Sequence, residues 1–334
     1  MKILITGGAG FIGSHLADKL LAEGHEVTVI DDLSTGRYAN IAHLEEKKGF
    51  RLIIDTVLNS SLMEDLIRET DRVYHMASAV GVRLIMEQPV KTIETIFHGT
   101  DTVLKFCSRY RKRVLIPSTS EVYGKGISVP FSEDDDLLTG GTDKHRWAYA
   151  CAKTLDEFLA LAHWKETQLP VAVTRLFNTV GPRQTGQYGM VVPRFVQAAI
   201  KNEPIEVHGD GTQSRCFGHV ADVVAGLVRL LETPACFGKV VNLGNSEEVS
   251  INDLAKRAIS LTGSTSEIQY VPYSEVYGEG FEDMQRRVPS LQKAAELIGY
   301  KPTRSLNDII NDVAAELRSA LPESNILHAQ NKHS

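Results

Sequence analysis

Cysteine is scarce in this chain of 334 residues. The four present, Cys107, Cys151, Cys216 and Cys236, are far apart and form no C-x-x-C pair. That pattern speaks against a disulfide framework or a cysteine zinc site and fits reduced thiols in a cytoplasmic protein. No apolar run reaches membrane-spanning length. The opening MKILITGGAG starts like a secretory leader, but glycines break its apolar run, so it reads as a first strand. Positive charge is also short: Lys and Arg number 36 against 42 Asp and Glu, a net charge of −6. With no basic stripe or block, nucleic acid is a poor candidate for the main partner. Internal repeats are missing too. SEVYG occurs at 120–124 and again at 274–278, with nothing matching around it.

What is present is ordinary globular composition, 43% hydrophobic and 23% charged, enough for one large core or two modest ones. KILIT (2–6) is a short apolar run ending in glycines. FIGSHLADKLLAEG (11–24) has helical spacing and stops at Gly24, and EVTVIDD (26–32) is the next strand. Strand, glycine turn, helix and strand within about 30 residues make a βαβ unit. The alternation continues through FRLIID (50–55), RVYHMAS (72–78), RVLIPST (113–119) and VAVTRLF (171–177). It predicts an α/β Rossmann fold, a doubly wound parallel sheet with helices on both faces. After Asn178 the rhythm loosens. NTVGPRQTGQYGMVVPRF reads as a long Gly- and Pro-rich loop, followed by short segments of a smaller interleaved C-terminal α/β lobe. The expected division is a Rossmann domain over 1–178 and 212–243, a substrate-binding lobe over 179–211 and 244–320, and a frayed tail over 321–334.

TGGAGFIG carries Gly7, Gly8, Gly10 and Gly13 between the first strand and the first helix. That context turns a weak motif into a dinucleotide-binding expectation. Glycines let the backbone approach a pyrophosphate, and the helix N-terminus offers unpaired N–H groups. Asp31 closes the second strand about 20 residues on, where a carboxylate accepts from a ribose diol and repels a 2′-phosphate. The expected cofactor is therefore NAD and not NADP.

YACAK places Tyr149 and Lys153 four apart, on one face if the segment is helical. By itself the pair is common. Near a nicotinamide cation, the lysine ammonium would favour the phenolate, and Tyr149 would take a hydroxyl proton. PSTSEVYG (117–124) runs a buried strand into Thr119, Ser120 and Glu121. A carboxylate there costs free energy unless it is used or paired.

TGGAGFIG, YACAK and RLFNTVGPR together resemble the extended short-chain dehydrogenase/reductase family, the NAD-dependent sugar-nucleotide epimerases, dehydratases and decarboxylases, over nearly the whole chain to about residue 320. The resemblance implies cofactor contacts at Gly7, Gly10, Phe11, Ile12, Gly13, Asp31, Asp32, Asp55, Ala77, Tyr149 and Lys153. It implies that Thr119 and Tyr149 bracket a substrate hydroxyl. It also implies that Asn178, Arg183, Val192, Arg194 and Arg215 hold a nucleotide diphosphate. A diphosphate in an acidic protein needs local guanidinium groups, which these arginines supply.

TSEVYG, RWAYACAK (146–153) and YGEGFEDMQRRVPSL (277–291) are similar to UDP-glucuronate decarboxylases, that is UDP-xylose synthases, UDP-apiose/xylose synthases and the aminoarabinose-pathway enzyme. In that motif the catalytic arginine falls on Arg287. Two departures stand out. Ser120 replaces the cysteine of the apiose synthases, which favours plain decarboxylation, and Ile96 stands where relatives carry asparagine. The expected reaction oxidises C4 of UDP-glucuronate and expels C6 as CO2, giving UDP-xylose or its 4-keto form. In it Glu121 and Arg287 serve the C5/C6 chemistry. The alternative is a UDP-glucose or UDP-glucuronate 4-epimerase. A 4,6-dehydratase or a non-catalytic NAD-bound regulatory protein are further readings. A buried structural pair with a nearby arginine is the plain alternative for Glu121.

His75 reads as packing and positioning, since no second ligand lies at metal spacing. His145 and His219 read as ordinary histidines. SEDDD (132–136) reads as a solvated acidic loop. The resemblance further implies a homodimer through helices around 91–109 and 147–164, a UDP-sugar as ligand, and no metal, nucleic acid or membrane partner.

Overall fold

The computed structural model describes residues 1–78, 88–126, 128–144, 146–186, 190–277 and 284–320. The tail expected over 321–334, His145, and residues 278–283 of the 277–291 motif lie outside the described residues.

Each of the apolar runs forms a strand. They are β1 (Lys2–Thr6), β2 (Glu26–Asp31), β3 (Phe50–Ile54), β4 (Arg72–His75), β5 (Arg113–Thr119) and β6 (Val171–Leu176). Four short strands follow, β7 (Thr179–Val180), β8 (Ile205–His208), β9 (Ser214–Cys216) and β10 (Gly218–His219). β11 (Lys239–Leu243), β12 (Glu248–Ser250) and β13 (Ile268–Val271) complete the set. Seven strands build one sheet in the order β11-β6-β5-β4-β1-β2-β3, and every pairing in it is parallel.

The two-residue side-chain period of a strand explains how the sheet is covered on both sides. Ile3 and Ile5 of β1 pack with Leu16 and Leu20 of α1 (Phe11–Ala22) and with Val223, Leu227 and Leu231. Leu4 between them faces the other way, with Met63, Ile67, Val103 and Leu104. Those second-face residues come from α2 (Ser60–Glu69) and α3 (Pro89–Arg109), beside which α4 (Arg146–Thr167) lies. A separate apolar cluster joins α5 (Val191–Lys201), β8, α7 (Ile251–Thr262) and α8 (Leu306–Ser319), while α6 (Val220–Glu232) stays with the sheet. Thus β8, β9, β12 and β13 pair only with each other, outside the main sheet.

Two sequence expectations are corrected. The loop read through Phe195 gives way to α5 at Val191. Pro193 falls in the first turn, where the missing N–H would have no intrahelical partner anyway. The acidic stretch 132–136 is not merely solvated. Asp135 accepts from the Ser132 N–H at 2.7 Å, and Glu133 accepts from the Asn242 N–H of β11 at 2.8 Å.

Helix α4 is fastened to β6 by a buried two-pronged ion pair. Arg175 donates through Nε to Glu157 Oε1 at 3.0 Å and through Nη2 to Oε2 at 2.8 Å. Both side chains are 5% exposed. Replacing Glu157 with Ala leaves the guanidinium buried without its counter-charge, a loss of about 3–5 kcal/mol of stability. Urea unfolding of Glu157→Ala against the parent chain measures this.

Candidate active site

The carboxyl ends of β1, β4, β5 and β6 open into one crevice of about 400 Å³, large enough for a small-molecule ligand. In a parallel sheet this is the edge where loops can present both backbone N–H groups and side chains.

One side of the crevice is the glycine turn. Gly7 has φ +68, and a Cβ there would collide with the backbone of Ala77. A Cβ on Gly13 would strike the Gly7 carbonyl oxygen. The N-terminus of α1 begins after Gly10 with no side-chain cap, and Phe11 and Ile12 line the crevice. A backbone stripped of side chains over an uncapped helix start fits a pyrophosphate.

Asp31 accepts from the Ala9 N–H and the Leu33 N–H, each at 2.9 Å. Burial pushes its carboxyl above the ordinary range, and these backbone donors oppose that shift. Thus Asp31 braces the turn as well as ending β2. Asp32 and Asp55 serve their own loops: Asp32 accepts from Ser34, and Asp55 accepts from Thr56 and Asn59. The Ala77 N–H donates to Thr6 Oγ1 at 3.2 Å, holding the end of β4 against β1. His75 bridges Thr6 Oγ1 at 2.8 Å and Thr100 Oγ1 at 3.4 Å, and burial pushes its pKa down to about 3. It is a neutral spacer. Among the described residues no cluster could hold a metal ion.

The other side carries ionisable side chains. β5 ends at Thr119, whose hydroxyl accepts from the Glu121 N–H at 3.2 Å and so forces the turn that follows. Tyr149 and Lys153 lie on α4, as their spacing predicts, and both line the crevice. Burial, then the Glu121 charge, push the Tyr149 phenol above the ordinary range, and the Thr119 hydroxyl opposes that shift. Lys153 is claimed by a carboxylate one turn on. Its ammonium donates to Asp156 Oδ2 at 2.8 Å, with both groups buried. Sequence reading missed Asp156, although it sits within one turn of Lys153 in YACAKTLD.

Glu121 faces Arg287 across the crevice, Oε1 to Nη1 at 3.5 Å, and Ser120 beside it is buried. Arg287 Nε has no hydrogen-bond partner among the described residues. Glu121 is therefore paired, and both it and Arg287 line the same cavity as Tyr149.

Farther out, Asn178, Val192, Arg194 and Arg215 line the crevice. Asn178 donates to the Cys216 carbonyl and Arg194 to the Glu206 carbonyl. Arg183 is not brought there. Its guanidinium pairs with Asp18 of α1 at 2.7 Å, and its backbone N–H donates to Glu316 of α8. With φ +69, the chain turns at Arg183 and carries the side chain away from the ligand space. His219 is no idle histidine. It caps α6 through the Ala221 N–H and meets Asp312 at 3.1 Å. Gln184, His208, Gln213 and Tyr273 also line the crevice; no motif in the sequence singles them out.

The family profile of GDP-mannose 4,6-dehydratase matches residues 4–313. UDP-N-acetyl-alpha-D-glucosaminuronate decarboxylase of Bacillus cytotoxicus is 42% identical over 305 residues, 91% of this chain and 94% of that protein. UDP-glucuronic acid decarboxylase 1 of Danio rerio is 40% identical over 312 residues, 93% of this chain and 71% of that protein. The crystal structure of UDP-glucuronic acid 4-epimerase from Bacillus cereus, with UDP-glucuronic acid and NAD, matches with a TM-score of 0.85. It is 30% identical and covers 96% of this chain and 100% of that one.

The glycine turn makes a direct prediction. Gly13→Ala must push the Gly7 carbonyl out of place, so dinucleotide affinity falls tenfold or more, about 1.4 kcal/mol. Isothermal titration with NAD measures it, and unchanged affinity would show that the turn does not carry the pyrophosphate.

Proposed function

The chain belongs to the GDP-mannose 4,6-dehydratase family, within the extended short-chain dehydrogenases/reductases, and we infer that it is an NAD-dependent decarboxylase of UDP-glucuronate. The observation that carries this reading is the Glu121–Arg287 pair, set in the same crevice as Thr119 and Tyr149. Of the two relatives named as decarboxylases, one acts on a UDP-glucuronate and the other on its 2-acetamido counterpart. Both substrates are uronates with a C6 carboxylate.

NAD, when bound, would supply reversible hydride acceptance from C4 of the sugar. Phe11, Ile12 and the turn through Gly13 hold it, with Asp31 on the adenosine ribose. Asp32, Asp55 and Ala77 complete that wall by shaping the loops around it. Tyr149 removes the C4 hydroxyl proton while Thr119 holds the oxygen. Burial and Glu121 both oppose the phenolate, so Tyr149 needs positive charge beside it. Lys153, partly neutralised by Asp156, can provide only a share of it, and an oxidised nicotinamide held in the crevice would supply further positive charge.

Oxidation at C4 turns the uronate into a β-keto acid. The C5–C6 bond then breaks, its electron pair enters the C4 ketone, CO2 leaves, and the enolate takes a proton at C5. Arg287 anchors the carboxylate and then faces the enolate charge. Glu121 and Ser120 orient the sugar and the water that protonates C5. Asn178, Val192, Arg194 and Arg215 receive the UDP moiety, whereas Arg183 braces the loop between them. The proposed division is 1–178 with 212–243 for the cofactor and 179–211 with 244–320 for the substrate, except that β9, with Arg215, pairs with β12 of the substrate unit.

A 4-epimerase is the second reading, favoured by the similarity to an epimerase that binds UDP-glucuronic acid. It needs no C5 chemistry, so Glu121 and Arg287 would be dispensable. One test separates the two. UDP-glucuronate labelled with carbon-13 at C6 is followed by NMR, with the 2-acetamido substrate in parallel. Labelled bicarbonate is the expected product. Glu121→Gln should lower its rate about a hundredfold, within the range of positioned acid–base groups, and Tyr149→Phe should abolish turnover. A labelled C6 carboxylate on an epimerised sugar, with no bicarbonate, would sink the decarboxylase reading.

The proposal extends to a cytoplasmic homodimer. All four cysteines are unpaired, which suits a reducing compartment. Phe158 is 68% exposed with Leu155 one turn away on α4, and Val90 and Ile93 are exposed on α3. A second copy would cover these apolar faces. Phe158→Asp is expected to give a monomer in sedimentation velocity where the parent chain gives a dimer; a monomeric parent would refute the dimer.

A further inference from the structure

The Glu121–Arg287 pair does not lock itself. Its separation of 3.5 Å is long for a charge-assisted hydrogen bond, and Arg287 Nε is left without a partner among the described residues. Something else must set where the two side chains stand. Glu121 lies two residues before Tyr123, and Arg287 lies three before Ser290. Both neighbours are bonded to one side chain, Asn242 of β11.

Asn242 is fully buried in a strand whose neighbours Val241 and Leu243 belong to the apolar core. A buried amide is costly unless every polar atom is used. Here Asn242 Oδ1 accepts from the Tyr123 hydroxyl at 2.8 Å. Its Nδ2 donates to the Phe131 carbonyl at 3.1 Å and to the Ser290 carbonyl at 3.3 Å. Phe131 in turn stacks on Tyr123, ring centroids 4.7 Å apart and planes 7° from parallel. Its backbone holds the Arg287 segment from both sides, accepting from the Ser290 N–H and donating to the Val288 carbonyl, each at 2.8 Å.

We propose that Asn242 is a positioning residue for the decarboxylation, tying the segment that carries Glu121 and the segment that carries Arg287 to one point on the sheet. Asn242 touches neither ligand nor reacting atoms. It acts on the C5/C6 end of the site, while Tyr149 and Lys153 are placed by α4 and do not bond to it. Loosening it therefore slows CO2 loss and spares oxidation at C4.

This inference rests on the decarboxylase reading, and its test keeps the two apart. Asn242→Asp keeps the shape and the acceptor for Tyr123 but turns the donor to the two carbonyls into a carboxylate oxygen. Tyr123→Phe removes only the hydroxyl from the other side. Each variant is first titrated with NAD by calorimetry to count competent sites. Single-turnover reactions with labelled UDP-glucuronate then follow reduced nicotinamide by absorbance and CO2 by its label. The expected result is CO2 release slowed about tenfold or more, in line with small misplacements of catalytic groups. Reduced nicotinamide forms at the parent rate and accumulates. A merely structural role would lower both signals in proportion to the count of competent sites, and that outcome overturns the inference, as does CO2 release at the parent rate. If Asn242→Asp does not fold, Tyr123→Phe decides alone. A parent enzyme that releases no CO2 defeats the decarboxylase reading and the inference together. A parent that releases it, with variants that match, defeats only the inference.

Discussion

Arg175 stands beneath the whole catalytic side of the molecule. Its guanidinium grips Glu157 of α4, the helix that carries Tyr149 and Lys153. Its charged face lies over the Tyr123 ring, 4.7 Å from the centroid, two residues from Glu121. Its remaining nitrogen reaches the Glu133 carbonyl at 3.4 Å, in the segment that runs past Phe131. One side chain thus registers a helix, a turn and a loop against β6. A planar fork suits this task, because it can bond in two directions and stack in a third.

The buried charges form a graded series. Arg175 and Glu157 close on each other with two prongs, and the bond is structural. Lys153 and Asp156 meet through a single contact, equally buried. Arg287 and Glu121 stand farther apart, with one guanidinium nitrogen unpartnered among the described residues. Buried ion pairs repay their desolvation only when geometry is good and remaining donors are satisfied. The series therefore runs from a pair that stabilises the fold to a looser one whose two side chains line the crevice. Sites that develop charge during a reaction need such preset, incompletely satisfied groups.

The α8 helix joins the rest through a different set of contacts. Glu316 takes the Arg183 N–H and Asp312 meets His219, while Arg183 reaches back to Asp18 of α1. The turn at Arg183 is thereby fixed from both sides, which is why its guanidinium serves architecture and leaves Arg194 and Arg215 to the crevice.

Much of the fold was legible in sequence because its signals are local. An apolar run of five to seven residues, a glycine turn and a helical period depend on neighbours in the chain. RVLIPST became β5 from Arg113 to Thr119, and YACAK fell on one helix as its spacing required. Gly7 and Gly13 could be read for the same reason: Gly7 takes φ +68, and a Cβ on Gly13 would strike the Gly7 carbonyl within the same turn and helix. Val191 misled because Pro193 looks like a loop residue unless the helix start is known.

What tertiary structure alone decided is who faces whom. That Glu121 would meet Arg287, that Lys153 would be claimed by Asp156, and that Arg183 would turn away all depend on packing. The Tyr123–Asn242 bond spans 119 residues of sequence and leaves no mark in the pattern of either segment. Local periodicity encodes which face of an element is apolar. The partner of a buried polar group is chosen only when separate elements are brought together, because its energy comes from being satisfied in that one place.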